Sequence, residues 1–250
     1  MPLKLLKLTI RRSLSALARW KLRRHSHPFP IGASAITLVL SPHQDDETLG
    51  CGGVIPQILG AGHAVHVIYI TDGGASPSGY SDLSSRRQVE ALAATALLGL
   101  PSAAIEFLNA HDGSLAQLDA RSAAVLIAQL SAILHRLRPT LVLLPCRTDG
   151  SSEHDATYAL FARALATTRF QPRVLEFPIW SWWNPLLLCP TFLQSRVIWR
   201  ATFPDHVALK QRALATYVTQ LQAADPDMGP MLTPEFVSFF TAAEEFFFEH

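Results

Sequence analysis

The sequence predicts an α/β fold: a mostly parallel sheet with helices on both faces. Short apolar runs alternate with helix-length segments from Ala33 to about Leu165. Each run has the composition of a strand buried on both faces. Each polar cluster of that region (HQDDE, TDGG, HDG and RTDGSSEHD) stands just past such a run, at the carboxyl edge where parallel sheets gather ligands. Right-handed βαβ crossovers follow from the alternation.

Taken in order, residues 35–40 (AITLVL) form the first expected strand, and residues 48–59 an expected helix stopped by GAG at 60–62. AVHVIYITDGG, residues 64–74, is a second strand ending in a Gly-rich loop at Asp72. A helix is expected over 84–98, carrying Arg87 and Glu90 one turn apart, then a third strand at 105–108 (IEFL) that exits into NAHDGSL. Leu126, Leu130, Ile133 and Leu137 mark a helix over 120–137. Pro139 closes it, and TLVLLP at 140–145 supplies a fourth strand. The terminal EEFFFEH reads as an amphipathic helix packed on the body.

At 250 residues one domain is easily accommodated. A formal net charge of +1 gives no reason to expect a nucleic-acid partner. The charge is unevenly placed: eight cations from Lys4 to Arg24 precede the first acid, Asp45. Leu3, Leu6, Ile10, Leu14 and Leu17 would share one helical stripe among them, a pattern suited to peripheral contact of residues 3–24 with an anionic membrane, or to a helix with a solvated face. HSHPFPIG at 25–32 is rich in breakers, so residues 1–30 read as a basic segment and linker, and 31–250 as the globular domain. Cys51, Cys146 and Cys189 are odd in number and form no CxxC, which suits a reducing, cytoplasmic location. Cys51 reads as a small packed residue, and His63 and His66 as ordinary residues near a strand.

LVLSPHQDDETLGCGG at 38–53 carries the chemistry. Carboxylates packed so closely need a cation or a cleft. His43 and Asp46, three apart on a loop entering a helix, can turn toward one point, and His154 in the loop after the fourth strand is the natural third ligand. Two imidazoles and a carboxylate suit Zn²⁺ with an open position for water, and Fe²⁺ is also compatible. Asp45 is then free to take a proton from the activated water and pass it to a leaving nitrogen. Glu47 belongs in the first helical turn, facing the dipole.

PHQDDETLGCGG resembles the opening motif of the LmbE-like, or PIG-L, de-N-acetylases, which runs Pro-His-Pro-Asp-Asp-Glu and then Gly-Cys-Gly-Gly. DGSSEHDA is similar to their second signature when Asp149, His154 and Ala156 are aligned. RRQVEALAATALLGL and FLNAHDGSL resemble the segments between them. The resemblance implies a Rossmann-like sheet of the LmbE-like fold, zinc held by His43, Asp46 and His154, Asp45 as general base, and Arg87 and Asp112 as holders of an amino sugar. Gln44 replaces a proline of the motif. Ser151 stands where the family has a histidine associated with the charge that develops on the amide, with His111 or Arg147 as substitutes to look for.

The tryptophans of FPIWSWWNPLLLCP offer flat faces for a sugar or lipid chain, Trp180 first among them, with burial in the core as the competing fate. The expected activity is therefore zinc-dependent removal of an N-acetyl group from an N-acetylglucosamine-type conjugate, soluble or lipid-linked. The alternatives are an amidase on a glycosyl-linked thiol or antibiotic, and a carbohydrate or lipid-headgroup binder weakened by Ser151. Dinucleotide binding ranks last, because GCGG lacks the GxGxxG spacing and acids stand where phosphate would sit.

Overall fold

The structure, a computed structural model, describes residues 3–33, 35–75, 79–225 and 227–250, with the Leu3, Lys4 and Ala33 side chains outside that description. Its centre is an eight-stranded sheet in the order β1-β7-β8-β6-β5-β2-β3-β4. The strands are β1 (Ser26–Pro28), β2 (Ile36–Ser41), β3 (Ala64–Thr71), β4 (Ile105–Ala110), β5 (Leu141–Pro145), β6 (Arg173–Phe177), β7 (Val197–Thr202) and β8 (Glu244–Glu249). All neighbours pair in parallel except β8, which runs antiparallel to both β6 and β7. The expected parallel α/β sheet is therefore present, with one reversed strand.

Alternation along the strands builds two cores. Val39, Val67, Leu141, Leu143 and Leu175 face one way, toward α2 (Asp46–Cys51), α3 (Val54–Gly60) and α4 (Leu83–Leu97). Leu38, Leu40, Ile68, Val142 and Leu144 face the other, against α5 (Ala120–Leu137) and α6 (Ser152–Leu165). Successive side chains leave a strand on opposite faces, so a run apolar throughout is explained only when both faces are covered.

Three local expectations are corrected. The helix expected over 48–59 is two helices, α2 and α3, parted at Gly52 and Gly53. Side chains are barred around that break: a Cβ on Gly50 would meet the Phe177 ring at 2.2 Å, and one on Gly53 the Phe203 ring at 2.3 Å. The terminal EEFFFEH is β8, not a helix. Phe246, Phe247 and Phe248 are consecutive and all buried, as an interior strand allows and a one-faced helix does not. Glu245 is buried with them, accepting from the N–H groups of Gly53 (2.7 Å) and Val54 (3.0 Å) and from Lys210 Nζ (2.7 Å). Finally, the breaker-rich stretch after residue 25 carries the edge strand β1, where Pro28 needs to satisfy a neighbour on one side only.

Helix α1 (Leu3–His25) packs on the domain through Leu22, through a hydrogen bond from Ser15 Oγ to the Trp182 carbonyl (2.9 Å), and through Arg23, whose Nε lies 2.9 Å from both Glu244 oxygens. Among the described residues no helix is long and apolar enough to cross a membrane.

Candidate metal centre

The parallel order delivers the loops after β2, β3, β4 and β5 to one edge. After β2, the Ser41 hydroxyl donates to the His43 carbonyl (2.7 Å) and accepts from the Glu47 N–H (3.1 Å), drawing the chain into a tight bend. Asp46 Oδ2 accepts from the His43 N–H at 3.1 Å and lies 3.2 Å from His43 Nδ1. Between them Asp45 holds φ 153° and ψ −28°, a backbone geometry that a side-chain-bearing residue keeps only when its surroundings enforce it. Buried Gln44 helps do so by donating to the Thr71 carbonyl at the end of β3 (2.7 Å).

After β5, Asp149 accepts from the N–H groups of Ile179, Trp180 and Ser181, so its carboxylate is pinned. His154, in the first turn of α6, places Nδ1 2.9 Å from Asp149 Oδ2. A carboxylate can only accept, so Nδ1 carries the proton and Nε2 is left to bind elsewhere. That Nε2 is buried without a hydrogen-bond partner and faces Asp46 Oδ2 at 3.5 Å.

One ligand atom from each of His43, Asp46 and His154 therefore falls within 4.8 Å of the others. Two neutral-capable imidazoles, one carboxylate and an orphaned buried ring nitrogen aimed at their common centre fit a divalent cation of the zinc type. His43, Asp112 and Glu153 form a second such group. His43 Nε2 lies 3.2 Å from Asp112 Oδ1 and 4.0 Å from Glu153 Oε2. Asp112 also accepts from the Ala75 N–H (3.0 Å), so it orients the His43 ring from behind.

With protons as the only cations between them, these groups share charge unequally. Burial disfavours the His43 imidazolium, but hydrogen bonds to Asp112 and Asp46 outweigh it and push the ring up to about 10. Burial likewise opposes charge on His154, yet Asp46 and Asp149 raise it to about 9. Asp46 is held well below the usual carboxylate range: burial raises it, and the charge of His154, with the hydrogen bond and charge of His43, more than offsets that. Asp45 goes the other way, pushed up by burial and by the neighbouring Asp46 charge, with Arg87 opposing.

A cavity of about 310 Å³ opens over these groups, lined among others by Asp45, Arg87, Ser151, Trp180, Gln220 and Phe236. Arg87 is buried, and its guanidinium donates to Gln220 Oε1. Gly73 (φ +65°) makes room, because a Cβ there would lie 2.7 Å from Arg87 Cδ. Glu90 turns away to accept from the Thr219 N–H (2.8 Å) and hydroxyl (2.6 Å).

A family model described as PIG-L, GlcNAc-PI de-N-acetylase, matches residues 38–165, the segment bearing both histidine loops. That is just over half of the chain. The chain belongs to the PIG-L family. No curated protein matches it. Among solved structures it is similar to the N,N'-diacetylchitobiose deacetylase of Pyrococcus horikoshii (21% identity, 79% of this chain and 74% of that one, TM-score 0.61). It is also similar to a zinc-inhibited form of a teicoplanin deacetylase (18%, 74% and 84%, TM-score 0.57). The 4-carboxy-2-hydroxymuconate hydratase GalB of Pseudomonas putida KT2440 is comparably close (19%, 82% of each chain, TM-score 0.62). These likenesses confirm the fold, and the hydratase shows that the fold hosts more than one reaction.

Against the PIG-L motifs, the Gln44 departure is compensated by its hydrogen bond to β3. The Ser151 departure is not compensated by the side chain of either expected substitute. His111 is exposed, with Nδ1 4.0 Å from Asp72, and Arg147 is held by Glu176 at 2.6 Å and over Tyr158. Neither lines the cavity. Of the tryptophans, Trp180 lines the cavity with its ring 4.8 Å from Phe236, whereas Trp182 is core. Cys51 is buried too, and burial pushes its thiol up, away from nucleophilic use. Gln220, Met231, Leu232 and Phe236 have no signal in the sequence; their segment closes over the cavity from far along the chain and carries no motif.

Proposed function

We propose that the protein is a metal-dependent hydrolase that removes the N-acetyl group from an N-acetylglucosamine-type amino-sugar conjugate. The carrying observation is the convergence of His43 Nδ1, Asp46 Oδ2 and His154 Nε2 beside a cavity that Asp45 also lines. A divalent cation held by His43, Asp46 and His154 would polarise the acetamide carbonyl and acidify the attacking water.

The chain's own residues supply the rest. Asp45, raised by burial, is a stronger base than an exposed carboxylate once ionised; it takes the proton of the attacking water and returns it to the departing amine nitrogen. Asp149 and Asp112 fix the two imidazoles so that their ligating nitrogens face inward. Arg87 and Gln220 offer a donor and an acceptor to sugar hydroxyls, and the Trp180 and Phe236 rings suit the CH faces of a pyranose.

Incubation with zinc and a panel of N-acetylglucosamine conjugates, soluble and lipid-linked, should release acetate from at least one, in step with bound metal. A protein that holds stoichiometric zinc yet releases no acetate from any member would overturn the reading. Zinc-free protein that still binds sugar would point to a carbohydrate binder instead.

A further inference from the structure

Helix α1 presents an apolar stripe to solvent and docks on the domain through Leu22, Ala18 and a set of polar side chains. Leu6 (45% exposed), Ile10 (50%), Leu17 (50%) and Trp20 (51%) look outward, with Leu14 at their margin. Beside Leu22, the inward face uses Ser15, Arg19 and Arg23 in hydrogen bonds, with Arg11 and Arg19 stacked 4.2 Å and 4.0 Å over Trp183 and Trp182. A surface helix that serves only its own domain turns its apolar stripe inward. Here the docking is complete and the stripe is left over.

Its charge specifies what it fits. Lys7, Arg12, Lys21 and Arg24 surround the stripe, and among the described residues none of them is in an ion pair. No acid occurs in the chain before Asp45. Trp20, with the Arg24 guanidinium 5.0 Å from its ring centre, has the form of an interfacial anchor. Leu193 of α7 (Leu188–Gln194), 80% exposed, lines a groove with Ala18 and Lys21 and extends the apolar surface.

We propose that α1 lies in the plane of an anionic phospholipid bilayer. Leu6, Ile10, Leu17 and Trp20 enter the acyl boundary, while Lys7, Arg12, Lys21 and Arg24 meet lipid phosphates. The inference is independent of the reaction proposed above.

Flotation of the full chain with vesicles tests it, using phosphatidylcholine alone and phosphatidylcholine with phosphatidylglycerol. Recovery should be roughly tenfold greater on the anionic vesicles and should fall at high salt. The double substitution Ile10→Glu and Leu17→Glu should lower it by about tenfold or more without lowering the thermal midpoint, since both side chains stand in solvent. A triple change of Lys7, Arg12 and Lys21 to Gln should remove the preference for anionic lipid. Equal recovery on both vesicle types, or flotation unaffected by the double substitution, would overturn the proposal. So would a solution dimer that the double substitution dissolves, with no flotation of either form, because the stripe would then belong to a second copy of the chain.

Discussion

His154 Nδ1 and Asp149 Oδ2 stand 2.9 Å apart with both side chains fully buried, and Asp149 is itself anchored by consecutive backbone N–H groups from Ile179 to Ser181. The pair fixes the tautomer of His154 and leaves Nε2 as the nitrogen that would reach a cation. Asp149→Asn should therefore lower zinc affinity by ~10–100-fold. Chelator competition measures this, and the thermal midpoint in excess chelator separates it from loss of fold. Unchanged affinity would mean that Asp149 serves only the 179–181 turn.

Asp45→Asn keeps the size of the side chain at the bend and removes the proposed base. Turnover should fall by ~10²–10⁴-fold while bound zinc is retained. Loss of zinc along with activity would make Asp45 a ligand rather than a base.

Stability should depend on pH in a sense that metal reverses. His43 and His154 have folded pKa values of about 10 and about 9, above the ordinary 6.5. Groups raised on folding stabilise fully below their unfolded pKa and lose that contribution as pH rises through the folded one. Chelated protein should thus lose thermal stability between about pH 6.5 and pH 10. Asp46, depressed by His154, adds a separate loss at acid pH, below the usual carboxylate range. Zinc bound there would replace the imidazole protons, so the gap between zinc-loaded and chelated midpoints should widen as pH rises from 6.5 to 9. A chelated protein with a flat midpoint across that window would contradict the charge network.

Ser151 lines the cavity where the family has a histidine, and neither the His111 nor the Arg147 side chain reaches it. Ser151→His should raise kcat, by ~10-fold or more, through a donor to the developing oxyanion. Acetate release under saturating substrate is the measurement. No gain would show that other cavity groups already fill the role.

Lys210 and Glu245 form a buried pair at 2.7 Å, tying α8 (Val207–Leu214) to β8. Lys210→Met should destabilise by about 3 kcal/mol, because Glu245 is left buried without its cation. Denaturant unfolding of the zinc-loaded protein measures this directly.

Much of the framework is legible in the sequence because it is local. The run from Leu38 to Leu40 and the one from Leu141 to Pro145 declare strands covered on both faces, and HQDDE and SSEHD stand directly after such strands. Parallel pairing then places His43 and His154 on one edge without further information.

Three particulars needed the tertiary structure. EEFFFEH fits a strand only when both faces meet partners, and those partners come from elements distant in the chain. The break between α2 and α3 depends on the Phe177 and Phe203 rings lying against glycines 50 and 53. Gln220 and Phe236 reach the cavity from a segment with no periodicity or motif of its own. The sequence by itself determined the alternation of elements and the two motifs whose side chains meet at the candidate metal centre, since each is written within a few residues. Tertiary structure alone decided which face of α1 is buried and what closes the cavity, because those outcomes are set by competition among long-range contacts that no local pattern encodes.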